Sequence, residues 1–262
     1  MILVVGGRGL TGSAIVRELQ QRGIEHDVVQ RENRRQFHGR SCDILIFCAG
    51  NSMKWKAAED PHYDFTASVS HLSYYVHEIR SGKVVLLSDV EVYNDTSSLE
   101  ATREDLPSIQ DARSTYAYHK LLAEDMVLRF SPKSLVLRLP TLVGPGLRRN
   151  TLFDLMHSER PIREVPDSSL NVVHTTEMAA KLINMLDAEA EGVFNLAAPD
   201  SVPLDELARI AGRTPSFRPD PGAKPTDQMI NVEKLSDTFQ CESSRDALSR
   251  YCAELENRAE SA

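Results

Sequence analysis

The sequence predicts an α/β fold in which a doubly wound parallel sheet carries helices on both faces. Strand-like runs alternate with helix-like segments through the first two thirds of the 262 residues. The strand-like runs are short, continuous and apolar, which is typical of strands buried on both faces. A glycine-rich segment follows the first run and precedes a helical pattern. Together these features indicate successive strand–helix–strand units.

The predicted strands are runs rich in β-branched residues or leucine, bounded by polar residues or glycine. They cover residues 1–5, 27–29, 43–47, 83–87 and 134–138. Between them apolar side chains recur at helical spacing, as at Ile15, Val16 and Leu19 before the stop signal Gly23. A similar pattern follows Tyr116. These segments are the crossover helices that parallel strands require.

The glycine-rich segment has a pattern with a defined physical purpose. It consists of Gly6, Gly7, Arg8, Gly9, Leu10, Thr11 and Gly12. Glycine permits a tight turn and lets the backbone approach a pyrophosphate, and the N-terminus of the following helix attracts an anion. A glycine turn without a ligand is the alternative. The strand–loop–helix context favours a Rossmann-type dinucleotide site.

The end of the second predicted strand bears on which dinucleotide binds. Enzymes that bind NAD usually place an acid there for the ribose hydroxyls, whereas this chain has Gln30. Four nearby arginines can bind a 2′-phosphate through bidentate contacts; they are Arg8, Arg31, Arg34 and Arg35. NADP(H) is therefore favoured. NAD is the alternative, because Glu32 can reach the ribose and the arginines also suit a solvated loop.

A tyrosine and a lysine stand four residues apart at the start of a helical stretch. Tyr116 and Lys120 therefore share one helix face. A nearby ammonium favours the phenolate and moves the pKa of a tyrosine towards the working range of an acid or base. Tyr116 can then exchange a proton with a substrate oxygen. The alternative is that Tyr116 and Lys120 form an ordinary surface pair. The glycine loop earlier in the chain makes this alternative weaker.

In this order the motifs resemble the extended short-chain dehydrogenase/reductase family of nucleotide-sugar epimerases, dehydratases and reductases. The glycine loop, Tyr116 and Lys120 match that family, with Leu121 and Glu124 continuing its Y-x-x-x-K-L-x-x-E pattern. Further stretches resemble its later segments: residues 137–145, 173–179 and 192–196. The resemblance implies that Tyr116 is the acid/base and that Lys120 binds the nicotinamide ribose and lowers the pKa of Tyr116. It also implies cofactor contacts at Cys48, Ala49, Gly50 and Pro140.

The chain departs from that family where a serine or threonine usually binds the reacting oxygen. In this register Asp89 takes the position and Ser88 precedes it. A carboxylate cannot donate a hydrogen bond unless protonated. Either Ser88 performs this role through a shifted loop or the site is altered. Dehydratases of the family use an Asp-Glu pair here, and this chain offers only Glu91, a candidate substrate contact.

After Pro140 the alternation of strands and helices is interrupted, which predicts a smaller lobe. We expect a Rossmann-type NADP-binding domain from residues 1–140 and about 171–198. About 141–170 and 199–262 then form a small, discontinuous C-terminal substrate lobe. Three cations in or near that lobe are suited to bind a substrate diphosphate: Arg148, Arg149 and Lys224. The alternative is that they are ordinary surface charges.

Composition excludes several classes of protein. The net charge of −8, from 30 basic and 38 acidic residues, argues against a broad nucleic-acid surface but leaves a local basic patch possible. The four cysteines are widely spaced, and residues 1–5 are too short for a signal peptide or membrane span. We expect a cytoplasmic protein. The histidines show no metal-binding arrangement, so no metal is assigned.

The resemblance, together with the arginines that favour NADP(H), implies an NADP(H)-dependent reductase of a keto group on a nucleotide-activated deoxysugar. The resemblance is nearest to the dTDP-4-dehydrorhamnose reductase branch. An epimerase of the same family is the first alternative, weakened by the short substrate lobe. A cofactor-binding regulator or scaffold is the alternative from another class, motivated by Asp89. The resemblance also implies a homodimer.

Overall fold

The computed structural model describes residues 1–157, 161–235 and 239–260. Its strands are β1 (Ile2–Val5), β2 (His26–Val29), β3 (Ser41–Phe47), β4 (Arg80–Asp89), β5 (Ser134–Leu139), β6 (Thr141–Val143), β7 (Ser169–Leu170), β8 (Val172–His174), β9 (Gly192–Asn195) and β10 (Val202–Pro203). Its helices are α1 (Leu10–Gln21), α2 (Lys54–Glu59), α3 (Pro61–Phe65), α4 (His71–Glu78), α5 (Thr115–Phe130), α6 (Thr151–His157), α7 (Thr175–Asp187), α8 (Leu204–Ile210) and α9 (Ser244–Glu260). None of these helices is long and apolar enough to cross a membrane.

The main sheet has six strands in the described part of the chain, in the order β2-β1-β3-β4-β5-β9. Strand β1 pairs in parallel with β2 on one side and β3 on the other, so Val5 lies opposite both Val29 and Phe47. The chain therefore changes direction across the sheet at β1. In open parallel sheets, ligands bind at such a switch point, beyond the carboxyl ends of the strands. The predicted Rossmann-type α/β fold is confirmed.

The main sheet is buried on both faces, as its apolar strands predict. Val4 of β1 is fully buried on one face, and Leu3 and Leu45 are fully buried on the other. The hydrophobic cluster that contains Leu3 and Leu45 also includes Leu72 of α4 and Val127 of α5. Because helices cover the faces of the sheet, only the strand ends and the loops that follow them are open to a ligand.

The chain divides into two compact units. The first contains Met1–Asn94, Glu104–Arg138 and Leu182–Phe194, and the second contains Asp95–Arg103, Leu139–Lys181 and Asn195–Ala262. The predicted boundaries differ from this division, because residues 95–103 and 171–181 fall in the second unit. Buried Thr102 explains the first difference: its hydroxyl donates to the Met229 carbonyl at 2.8 Å and accepts from the Asn231 amide at 2.8 Å.

The second unit contains two small sheets. Strand β6 pairs in parallel with β8, and β7 pairs antiparallel with β10. The buried Asn171 side chain, between β7 and β8, bonds the Ala198 amide at 2.9 Å and the Ala198 carbonyl at 2.8 Å. At the start of α9 the Ser244 hydroxyl accepts from the Val172 amide at 2.9 Å. Within the predicted lobe, residues 158–160, 236–238 and 261–262 lie outside the described part.

Candidate active site

The glycine loop between β1 and α1 is packed so tightly that three of its glycines have no space for a side chain. A Cβ at Gly6, where φ is +84°, would lie 2.9 Å from the Ala49 amide nitrogen. At Gly7 it would lie 2.8 Å from the Val28 side chain, and at Gly12 it would lie 2.3 Å from the Gly6 carbonyl oxygen. These glycines bring the first turn of α1 against the ends of neighbouring strands.

Gly9 differs from the other glycines of the loop. A Cβ there would meet only the Gly6 carbonyl oxygen, at 3.4 Å, and the φ of −75° suits any residue. Gly9 is the N-cap of α1, and no side chain caps this end of the helix. Half-buried Leu10 and Thr11 follow in its first turn. This helix N-terminus therefore fits the pyrophosphate of a dinucleotide, which needs free backbone donors and close backbone approach.

The segment after β3 lies beside the glycine loop. The Cys48 amide donates to the Val5 carbonyl at 2.9 Å, and Ala49 provides the close contact with Gly6. Burial raises the pKa of the Cys48 thiol above its ordinary range, which disfavours the nucleophilic thiolate form. Gly50 has φ +128°, a backbone conformation that glycine adopts readily. The carboxyl ends of β1 and β3 thus present glycine-rich backbone at the switch point.

The end of β2 carries a cavity of about 380 Å³. Arg31 and Arg34 line it, together with Tyr63, Thr66, Ala67 and His71. Burial lowers the pKa of His71, and the charges of the two arginines lower it further. Arg8 and Arg35 are not among its lining residues; Arg8 instead pairs with Glu32 at 2.6 Å. Of the four predicted phosphate-binding arginines, the structure therefore brings two together.

Gln30 lies where enzymes specific for NAD carry an acid. Its Nε2 is buried and has no hydrogen-bond partner in the described structure. Asn33 orders the same turn, because its Oδ1 accepts from the Gln30 amide at 2.7 Å and its Nδ2 donates to the Val28 carbonyl at 3.0 Å. An unpartnered amide donor at this position fits the ribose hydroxyls or phosphate of an adenine nucleotide.

The predicted catalytic pair lies on α5. Ser114 begins this helix as its N-cap, its hydroxyl accepting from the Ala117 amide at 3.1 Å. The Tyr116 side chain is buried, and its hydroxyl donates to Asp89 Oδ2 at 2.9 Å. Lys120 Nζ lies 5.5 Å from the centre of the Tyr116 ring. The helix and the end of β4 therefore bring tyrosine, lysine and aspartate together.

The pKa of Tyr116 is raised in this structure, whereas the family resemblance implies a pKa lowered by Lys120. Burial raises the pKa of Tyr116 well above its ordinary value, and the charge and hydrogen bond of Asp89 raise it further. Burial also lowers the pKa of Lys120, against the opposing effects of Asp89, Asp64 and Glu124. Burial is the largest cause, and the charges of Glu91 and Asp64 act in the same direction, so Tyr116 is held in its protonated form.

The Ser88 side chain belongs to a different hydrogen-bond network from the one that contains Asp89. Its hydroxyl donates to Glu124 Oε1, and Glu124 also accepts from Arg138 at 2.8 Å and 3.2 Å. Arg138 in turn donates to the Tyr93 hydroxyl at 3.0 Å. Although burial opposes it, Glu124 raises the pKa of the Arg138 guanidinium. The geometry separates the two candidates: Ser88 belongs to a buried ion-pair network, and Asp89 contacts Tyr116.

Asp89 and Glu91 lie in the short turn that follows β4. Asp89 Oδ1 accepts from the Glu91 amide at 2.9 Å, which caps a 3₁₀ turn over Val90–Val92. The half-buried Glu91 carboxylate forms an ion pair with Lys54 at the start of α2. The predicted substrate contact therefore lies in the same turn as Asp89 and already has a counter-ion.

Two buried side chains near the pair were not assigned from the sequence. Asp64 of α3 is fully buried and binds His119 of α5, with 2.6 Å between His119 Nδ1 and Asp64 Oδ2. His119 directly precedes Lys120, and that adjacency was the available signal. Within the described residues, no group of three or more histidine, cysteine, aspartate and glutamate side chains is placed to hold a metal ion.

The remaining predicted site residues lie in the second unit. Pro140 is buried directly after β5. Arg148 and Arg149 are exposed in the loop between β6 and α6, and Lys224 is exposed in the loop that contains Gly222. Their assignment to cofactor or substrate binding stays a prediction.

Comparison with known proteins agrees with this geometry. Residues 2–197 match the family described as NAD dependent epimerase/dehydratase family. The chain is 22% identical to dTDP-4-dehydro-6-deoxy-D-allose reductase of Streptomyces bikiniensis, over 92% of this chain and 91% of the relative.

Solved structures share the fold. One is MoeE5 in complex with UDP-glucose and NAD, with a TM-score of 0.83, 18% identity and coverage of 98% of this chain and 99% of that one. Another is a dTDP-4-dehydrorhamnose reductase from Clostridium acetobutylicum, with a TM-score of 0.79, 18% identity and coverage of 97% and 99%. The family match covers most of the chain, including the glycine loop, Tyr116 and Lys120. The chain therefore belongs to the NAD dependent epimerase/dehydratase family of extended short-chain dehydrogenase/reductases and is an NAD(P)-dependent enzyme of that family.

Proposed function

We propose that the protein is an NADP(H)-dependent reductase of a keto group on a nucleotide-activated deoxysugar. The observation that carries the proposal is the hydrogen bond from Tyr116 to Asp89. Reducing a carbonyl requires a proton donor at its oxygen, whereas the first step of an epimerase, oxidation of a hydroxyl, requires a base. A buried phenol with a raised pKa beside a carboxylate suits the donor role. The site therefore favours reduction over epimerisation.

The proposed proton transfer uses three side chains. Tyr116 turns its hydroxyl from Asp89 to the substrate carbonyl oxygen and donates its proton as the alcohol forms. Lys120 stabilises the resulting phenolate with its positive charge and binds the nicotinamide ribose. Asp89 holds the phenol in its protonated form before substrate binds. It accepts from the phenol again once the alcohol has left and the phenolate has taken a proton from solvent water. The reduced nicotinamide, when bound, supplies the hydride.

NADP(H) is the proposed cofactor, with NAD as the alternative. Three observations support it: the end of β2 lacks an acid, Glu32 is engaged by Arg8, and Arg31 and Arg34 line one cavity. Two guanidinium groups can bind the 2′-phosphate in a bidentate manner.

This cofactor preference is tested by titrating intrinsic and nicotinamide fluorescence with NADPH and NADH. Replacing Arg31 and Arg34 with alanine removes two phosphate contacts, so we expect NADPH binding to weaken by about tenfold or more while NADH binding stays unchanged. Arg35→Ala is the matched control, because Arg35 lies in the same turn but outside the cavity lining. Equal loss of both nucleotides, or a preference for NADH in the original chain, contradicts the assignment.

The substrate class is supported by the similarity to the Streptomyces reductase and by three exposed cations. We assign the first unit to cofactor binding and catalysis and the second unit to the substrate. Arg148, Arg149 and Lys224 are proposed to bind the substrate diphosphate, and Glu91 to bind a sugar hydroxyl. A homodimer, which the family resemblance implies, and a cytoplasmic location, which the widely spaced cysteines favour, complete the proposal.

The function is tested with a panel of nucleotide-linked 4-keto-deoxysugars and NADPH. We expect absorbance at the reduced-nicotinamide band to fall stoichiometrically with alcohol formation. An epimerase instead interconverts nucleotide sugars while its bound cofactor is not consumed. NADPH binding without oxidation by any member of the panel favours the regulator or scaffold alternative and contradicts the reductase.

A further inference from the structure

The two oxygens of the Asp89 carboxylate have different roles. Oδ1 accepts from the Glu91 amide at 2.9 Å and so caps the 3₁₀ turn that follows β4. Because this bond fixes the orientation of the side chain, Oδ2 is held beside Tyr116, whose hydroxyl donates to it at 2.9 Å. The half-buried carboxylate is therefore anchored by its own turn and presents one oxygen to the catalytic tyrosine.

Tyr116 and Asp89 place a hydrogen-bond donor and an acceptor side by side. The phenol has one proton to donate, whereas an ionised carboxylate only accepts. The neighbouring Ser88 hydroxyl does not add a second donor, because it donates to Glu124 in the buried ion-pair network. Lys120 Nζ lies 5.5 Å from the centre of the Tyr116 ring, and under the proposed function it binds the nicotinamide ribose. A substrate therefore meets one donor and one acceptor at this point.

Binding of a ketone takes the Tyr116 hydroxyl away from Asp89. The carbonyl oxygen accepts the bond from Tyr116, but it has no proton to offer to the Oδ2 that Tyr116 has left. A partly buried charged group that loses its hydrogen-bond partner reduces the affinity of the ligand that caused the loss. A ligand that carries a carbonyl and no donor beside it therefore binds next to an unsatisfied carboxylate oxygen.

We propose that Asp89 determines specificity by selecting ketones that carry a hydrogen-bond donor, a hydroxyl or an amine, on the carbon next to the carbonyl. The carbonyl accepts from Tyr116, while the neighbouring donor takes the place of the phenol at Asp89 Oδ2. The spacing fits, because the Tyr116 hydroxyl and Asp89 Oδ2 are 2.9 Å apart and oxygens on adjacent ring carbons have a similar separation. The inference rests on the proposed function, since a ketone is the group that draws Tyr116 from Asp89.

The test measures binding without turnover. The protein is saturated with NADP⁺, or with NAD⁺ if that nucleotide binds more tightly, so that no hydride is available to the ketone. A nucleotide-linked 4-keto-6-deoxysugar with a hydroxyl at C3 and its 3-deoxy analogue are titrated by calorimetry. We expect the hydroxylated ketone to bind about 10- to 100-fold more tightly, because the analogue leaves Asp89 Oδ2 without a donor. The 3-amino analogue is expected to bind at least as tightly as the hydroxylated ketone.

Two variants assign the preference to one side chain. In Asp89→Asn, Oδ1 still caps the turn while Nδ2 donates to the carbonyl, so the two ketones should bind within about threefold of each other. Glu91→Gln is the matched control: it removes the other carboxylate of the same turn, which pairs with Lys54, and leaves the bond between Tyr116 and Asp89 in place. We expect it to keep the preference for the hydroxylated ketone. Circular dichroism confirms that each variant is folded.

Equal affinities of the hydroxylated and 3-deoxy ketones in the original chain overturn the proposal, as does a set of ketones of which none binds. A preference that survives in Asp89→Asn, or that Glu91→Gln also abolishes, overturns the assignment to Asp89. The comparison in the original chain needs no variant, so it decides the matter even if Asp89→Asn does not fold. Failure of the proposed function is seen separately, as a panel of ketones that leaves NADPH unoxidised.

Discussion

The glycine loop after β1 and the catalytic pair near the end of β4 are held by different interactions. At the loop, backbone contacts decide the geometry: a Cβ on Gly12 would lie 2.3 Å from the Gly6 carbonyl. At the catalytic pair, side-chain charges decide it: Tyr116 bonds Asp89, and the neighbouring Ser88 and Arg138 bond Glu124. The packed backbone of the glycine loop suits the pyrophosphate of either dinucleotide. The charges around Tyr116 instead set the pKa of its phenol, and so decide whether it keeps or gives up a proton.

Because the two regions are held differently, we expect substitutions in the glycine loop to affect cofactor binding and substitutions at the catalytic pair to affect the chemical step. A catalytic-side change such as Tyr116→Phe leaves binding intact and removes turnover. A loop change such as Gly9→Ala weakens binding and leaves the phenol in place. A variant that lowers cofactor affinity and turnover to the same extent contradicts this separation of roles.

Removing the phenolic hydroxyl with Tyr116→Phe has the largest expected effect on turnover. We expect the rate of NADPH oxidation to fall by about 10²–10⁴-fold, the usual size of a general-acid contribution. The affinity for NADPH, measured by fluorescence, stays within about twofold because the proposed phosphate contacts are untouched. Turnover that survives in this variant assigns the proton donor to another group.

Arg138→Met is expected to have the largest effect on stability. It leaves Glu124 as a buried carboxylate without its cation, which costs about 3–5 kcal/mol of unfolding free energy. Arg129→Gln breaks an ion pair that Asp125 forms on the surface of α5 and should change stability far less. Urea unfolding monitored by circular dichroism measures both. Similar losses in the two variants contradict the view that burial gives the catalytic-side network its importance.

Gly12→Ala and Gly9→Ala distinguish packing from binding within the glycine loop. Gly12→Ala forces a Cβ against the Gly6 carbonyl and is expected to cost about 1–3 kcal/mol of stability. Gly9→Ala changes stability by less than about 1 kcal/mol, because its backbone suits alanine. It nevertheless weakens NADPH binding by obstructing the helix N-terminus. Thermal unfolding and NADPH titration together test this, and Gly9→Ala with unchanged affinity locates the pyrophosphate elsewhere.

The smallest expected effect is a shift in the pH profile of the reduction rate. Reduction needs the protonated phenol, so its rate falls as pH rises through the pKa of Tyr116. Because that pKa is raised, the alkaline limb lies above the ordinary tyrosine value of 10.0. Asp89→Asn removes one raising charge, so the limb moves to lower pH by about one unit. A limb that moves to higher pH, or not at all, contradicts the role given to Asp89.

Much of the first unit could be predicted from sequence because its determinants are local. Short apolar runs predicted five of the six strands of the main sheet, β1 to β5. The position of Tyr116 and Lys120 on one helix also follows from spacing. Helical periodicity and strand burial repeat along the chain, so they can be read without knowing which segments meet in space.

Other features depend on contacts between distant residues. The raised pKa of Tyr116 comes from burial and from Asp89, which is 27 positions away in the chain. The partner of His119 is 55 positions away, so the sequence alone offered only an unassigned histidine. The assignment of residues 95–103 to the second unit depends on Thr102 reaching Met229 and Asn231. Long-range pairings of this kind have no local pattern.

The central claim, that Tyr116 acts as a proton donor in a reduction, is tested most directly with NADPH deuterated at the transferred position. The protein is incubated with a nucleotide-linked 4-keto-deoxysugar, and the product is analysed by mass spectrometry and NMR. We expect one deuterium on the new carbinol carbon for each NADPH oxidised, and we expect Tyr116→Phe to lose both NADPH oxidation and deuterium incorporation. Interconversion of nucleotide-sugar epimers without net NADPH oxidation or deuterium incorporation contradicts it.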